Sequence, residues 1–129
     1  MGRFSFWEAL TDKESIMNPT VIPYPPNAKV TLTVTKADNL LIGYLAEKPN
    51  QHRQIYGRLT DNAVTFKDTI DIENSIVGVT ETLTMTGVNF SGGGQISFTI
   101  EVNNTVKANV SLNLAQYSSQ SWAFTFQRV

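Results

Sequence analysis

Beyond residue 28 the chain alternates apolar and polar positions at period two, the pattern of strands with one wet and one buried face. Val30, Leu32 and Val34 alternate with Thr31, Thr33 and Thr35. Residues 36–39 turn the chain and residues 41–47 run back, although Leu40, Leu41 and Ile42 are all apolar and leave the register open. A three-residue loop with Asn39 left-handed sets Ile42 and Tyr44 beside Val34 and Leu32; a four-residue loop sets Leu41 and Gly43 there instead. The first is preferred. Ile55, Gly57 and Leu59 share a face, as do Val64 and Phe66, and a two-residue Asp61-Asn62 turn brings Leu59 opposite Val64 and Gly57 opposite Phe66.

Residues 70–79 are less regular, interrupted by Asp71, Glu73 and Asn74, with Gly78 marking a bulge or bend. Leu83 and Met85 alternate with Thr82, Thr84 and Thr86, and Val88 and Phe90 extend that strand or restart it after a kink at Gly87. Ser91-Gly92-Gly93-Gly94 reverses the chain. Three successive antiparallel strands then carry Ile96, Phe98, Ile100 and Val102; Val106, Ala108, Val110, Leu112 and Leu114; and Trp122, Phe124 and Phe126. A two-residue Asn103-Asn104 turn would pair Glu101 with Val106, so an odd loop that includes Thr105 is required to bring Val102 opposite Val106. Phe98, Val110 and Phe124 are expected together in the core on three adjacent strands.

Residues 1–28 differ. Phe6 to Leu10 and Lys13 to Met17 predict a short helix with Trp7, Leu10 and Met17 on one side. Pro19, Pro23, Pro25 and Pro26 then make residues 18–27 an extended, Pro-rich strap that packs on the domain of residues 29–129. One domain results. About eight strands in sequence order, each with one apolar face, predict an all-β fold: a single antiparallel meander closing into a small up-and-down β-barrel, with a β-sandwich as the alternative. In architecture this resembles the small barrels of avidins and lipocalins, through the glycines of Leu41-Ile42-Gly43-Tyr44 and Ile55-Tyr56-Gly57-Arg58-Leu59. The Gly-x-Trp motif expected of lipocalins is absent, and no family is claimed.

Composition narrows the function by exclusion. The 129 residues include no cysteine, which removes thiol catalysis, iron–sulfur sites, zinc fingers and disulfide scaffolds. Net charge is −1 and the ten basic residues are scattered, so a nucleic-acid footprint is missing. Apolar runs such as Leu40-Leu41-Ile42 are too short for a membrane span. Phe4-Ser5-Phe6-Trp7 is followed directly by Glu8, which favours a cytoplasmic compartment unless a leader has been removed.

Chemistry is sparse. His52 is the one histidine and stands in a polar connection with no nucleophile spaced to it, so no catalytic residue is assigned. Asp68, Asp71 and Glu73 are the best carboxylate cluster, a weak metal candidate without the glycine or spacing of a calcium loop. The glycines at 92–94 lead into a strand and not a helix, which speaks against a phosphate cradle. Thr31-x-Thr33-x-Thr35 and Thr80-x-Thr82-x-Thr84-x-Thr86 suit exposed strand faces, and the other strands do not extend them into an array. Asn-x-Ser/Thr triplets at Asn89, Asn103 and Asn109 matter only in a secreted eukaryotic setting.

Two functions survive. The leading expectation is a non-enzymatic barrel, free of cofactor, that takes a small and mainly apolar molecule against Leu32, Phe66, Met85, Phe98 and Trp122, with Tyr44 as polar handle. The alternative is a protein-interaction or surface-recognition module working through loops or a sheet edge.

Overall fold

The computed structural model describes residues 20–46, 52–60, 64–73, 76 and 80–129. Its strands are β1 (Thr20–Tyr24), β2 (Val30–Ala37), β3 (Asn39–Ala46), β4 (His52–Thr60), β5 (Asp68–Asp71), β6 (Thr80–Asn89), β7 (Gln95–Val102), β8 (Thr105–Asn113) and β9 (Ser118–Arg128). They form a five-stranded sheet in the order β1-β9-β6-β3-β4 and a four-stranded sheet in the order β5-β2-β7-β8. The protein is all-β. No closed barrel is found among the described residues, and no helix there is long and apolar enough to cross a membrane.

The expected meander is corrected at three places. β2 and β3 are not a hairpin: β2 lies between β5 and β7, and the chain changes sheets at Asp38 and Asn39. The cause is a buried polar knot, in which Asn39 Oδ1 accepts the Phe90 and Ser91 amides at 2.6 and 2.9 Å. Asn39 Nδ2 donates to Asp38 Oδ1 at 2.8 Å and to the Thr60 carbonyl at 3.3 Å, while Asp38 Oδ2 accepts the Gly94 amide at 3.3 Å. A tight turn at this point would leave those buried groups unpaired, a cost of about 1–3 kcal/mol each. Gly94 fits because its φ of 74° is left-handed and a Cβ there would strike the Leu114 carbonyl.

β4 pairs with β3, and among the described residues Leu59 and Val64 do not pair as the expected hairpin requires. Its Asp61-Asn62 turn lies outside the described residues, but Leu59 and Val64 flank it 65% and 49% exposed. The Phe66 amide instead donates to the Thr35 carbonyl of β2. β9, expected beside β8, lies in the other sheet between β1 and β6. Phe98 therefore meets Phe124 across the two sheets, with ring centroids 6.0 Å apart, and not on a neighbouring strand. Val110 is Phe98's cross-strand partner and only half-buried.

Smaller differences follow from local geometry. Asn103 and Asn104 both take positive φ (50° and 68°) and form the two-residue turn. Parity is restored by a bulge, because Glu101 faces Val106 and Ile100 faces Ala108, with Lys107 left over. β6 runs unbroken through Gly87. The strap reading is sharpened at β1, which pairs in parallel with β9, buries Ile22 and Tyr24, and carries Pro23 on a sheet edge where a missing donor is tolerated. The expected helix falls outside the described residues. The core is built by the inner faces of both sheets, with Leu32, Val34, Leu41, Leu45, Leu83, Met85, Ile96, Phe98, Ile100 and Phe126 all buried.

Candidate functional site

Of the residues expected to line a ligand cavity, three come together. Met85 and Trp122 are cross-strand neighbours, and Phe98 sits edge-on to the Trp122 ring at 5.6 Å. All three are buried, and they fill the interior between the sheets. Tyr44 is elsewhere: it lies on the outer face of β3, 38% exposed, beside Gln54 and Thr84. Gly43 takes the inward position instead, where a Cβ would lie 2.7 Å from Met85 Sδ. Phe66 is half-buried at one lateral edge under Arg58.

Asp68, Asp71 and Glu73 diverge. Asp68 accepts the Tyr56 hydroxyl at 2.7 Å and pairs with Arg58 at 3.1 Å; Asp71 lies 4.0 Å from Lys29; Glu73 accepts the Val30 amide at 2.6 Å. No group of three His, Cys, Asp or Glu side chains suited to a metal ion occurs among the described residues. The threonine rows meet other threonines at single places only: Thr33 stands between Thr69 and Thr99, whereas Thr31 faces Asp71 and Glu101. Their hydroxyls are used internally, with Thr33 and Thr99 both donating to Glu101.

The two lateral sides of the molecule are built differently. On one, β4 and β5 are the edges, and side chains bridge them: Tyr56 and Arg58 reach from β4 to Asp68 of β5, and the guanidinium lies 3.9 Å over the Phe66 ring. Burial pushes the Tyr56 hydroxyl above the ordinary tyrosine range, the hydrogen bond to Asp68 and its charge raise it further, and Arg58 opposes them. Nearby in the five-stranded sheet, the buried Glu81 carboxylate meets Arg53 at 2.9 Å.

On the other side the edges are β1 and β8, and a cleft of about 280 Å³ lies between them. Residues 107–110 of β8 form one wall, Trp122, Ala123 and Phe124 of β9 form the floor, and Thr20 stands at the rim. β8 offers nine residues with no strand on its far side among the described residues. Its Ala108, Val110 and Leu112 are half-buried, Val106 is 53% exposed, and Lys107 is its only charge. Among the described residues β1 pairs with β9 from Phe124 onward. Sequence reasoning placed Trp122 in the interior but did not find this cleft. Period two identifies a face and says nothing about whether a strand has one neighbour or two. No protein-family model, curated protein or solved structure matches this chain.

Proposed function

We propose that this domain is a non-enzymatic protein-interaction module, a β-sandwich that accepts an extended segment of a partner along β8 and over the cleft floor. The observation that carries the reading is the long edge of β8, unpaired among the described residues, set beside a floor of Trp122 and Phe124. An unpaired edge offers a row of backbone donors and acceptors, and an added strand gains hydrogen bonds there while its alternate side chains enter the adjoining apolar groove. β8 carries one charge and no proline, so the usual guards against strand addition are thin. The filled interior around Met85, Phe98 and Trp122 weighs against the small apolar ligand expected of a barrel.

The test uses a fluorescent seven-residue peptide of alternating Val and Thr, with anisotropy measured on the full chain. Val110→Lys, which places a charge in the cleft wall, is expected to weaken binding at least tenfold, while Leu59→Lys on the far side leaves it unchanged. The reverse pattern, loss with Leu59→Lys and none with Val110→Lys, would overturn the reading.

A further inference from the structure

The two sheets turn different faces away from the core. On the four-stranded sheet the outer positions carry Lys29, Lys36, Lys67, Asp71 and Glu101 among threonines and serines. On the five-stranded sheet the register sends outward alternate residues of β3 from Leu40 to Ala46, of β6 from Thr80 to Val88 and of β9 from Ser119 to Gln127. β1 adds Val21 and Pro23, and β4 adds Gln54, Gly57 and Leu59. None of these residues is Asp, Glu, Lys or Arg. The charged residues of the same strands, Arg53, Arg58, Glu81 and Arg128, all take the opposite parity. A soluble surface holds roughly 25–35% charged residues, and depletion of charge marks the centre of a protein interface.

Two further features suit this face to being covered. Leu59, Leu40 and Val88 stand in one cross-strand row, so the face has an apolar end. Its hydroxyls are engaged, since Thr82 and Thr125 are 3.1 Å apart and Thr86 and Ser121 are 2.8 Å apart. Each has a partner within the face, which lowers the cost of covering it and leaves it less free to bind a sugar. Strands spaced about 4.8 Å, with a rise of about 3.3 Å per residue, make five strands of about eight residues a face of about 600 Å² before side-chain relief is added. Each partner in a standard interface buries roughly 800 Å².

We propose that this face stacks on the same face of a second copy of the chain, related to it by a two-fold axis. An isologous contact sets a surface against itself, which suits a face without charge. The outer face of the four-stranded sheet would instead set lysines against lysines. The proposed contact is distinct from the β8 cleft, and either can fail alone.

Sedimentation equilibrium on the full chain tests the pairing. Twice the 14.3 kDa chain mass is expected at about 100 μM, where a dimer with a micromolar dissociation constant is nearly complete. Thr84→Lys, on the central strand β6, introduces its charge twice and should raise the dissociation constant at least tenfold. Tyr44→Lys, at an exposed position of the same face, should do the same. Thr84→Ser, and Thr69→Lys on the other outer face, should leave it unchanged, with far-UV circular dichroism alike for all the variants. A wild-type chain that stays at monomer mass would overturn the proposal. So would a dimer that survives both Thr84→Lys and Tyr44→Lys; if Val110→Lys breaks it instead, the copies meet through their β8 edges.

Discussion

The two lateral sides face the same problem, the outer strands of two sheets among the described residues, and meet it in different ways. On the β4–β5 side four side chains span the gap: Tyr56 and Arg58 converge on Asp68, and Phe66 is held beneath the guanidinium. The Tyr56 hydroxyl and the Arg58 guanidinium brought together there both find Asp68, so their burial is tolerated. On the β1–β8 side residues 107–110 form the wall, and a cleft of about 280 Å³ lies between it and the β9 floor. The difference between the sides lies in what the edge strands carry. An edge closed by side chains is finished; an edge left with backbone groups and a shallow apolar floor is suited to another strand.

The largest expected effect removes what the sides share. Phe98 links the sheets through Trp122 and Phe124, and Phe98→Ala should cost about 3–5 kcal/mol in denaturant unfolding. A loss below about 1 kcal/mol would show that the sheets are not joined here. Next comes the closed side. Asp68→Ala leaves the buried Tyr56 hydroxyl without its acceptor and should cost about 1–3 kcal/mol, whereas Val106→Thr, exposed on the open side, should stay within about 0.5 kcal/mol. Equal costs would erase the proposed difference between the sides.

The smallest effect is a pH dependence. The Tyr56 proton is held more tightly in the fold than in the unfolded chain, whose tyrosines ionise near pH 10. Above about pH 10 the unfolded state therefore binds fewer protons and stability falls as pH rises, while below it the contribution is complete. Tyr24, raised by burial with Arg128 opposing, contributes in the same direction. Tyr56→Phe should thus flatten only part of the alkaline decline, read as denaturation midpoints between about pH 9 and 11. An unchanged slope would mean that Tyr56 is not sealed on this side.

Much of the strand content was legible, because Thr alternating with Val, Leu or Met marks a half-wet strand wherever it pairs. Leu32, Met85, Phe98 and Trp122 reached the core from that pattern alone. Strand neighbours were not legible. The change of sheet at Asp38 and Asn39 depends on amides of residues 90, 91 and 94, contacts between distant parts of the chain that local turn chemistry does not reveal. Tyr44 was misplaced because the run Leu40-Leu41-Ile42 permits either parity, and in the fold Leu41, Gly43 and Leu45 take the inward positions. The Asn103-Asn104 turn was dismissed on parity because a bulge at Lys107 is invisible in the hydrophobic pattern. The candidate site was least legible, since being an edge is a property of the assembled sheet and not of β8 itself.

The most direct measurement of the central claim is the position of a bound strand, read from intermolecular nuclear Overhauser effects between the isotope-labelled chain and the unlabelled Val/Thr peptide. Contacts to Ala108, Val110 and Trp122 are the expected result. Contacts to Tyr56, Arg58 and Phe66 on the closed side, or to Tyr44 on the outer face, would contradict it.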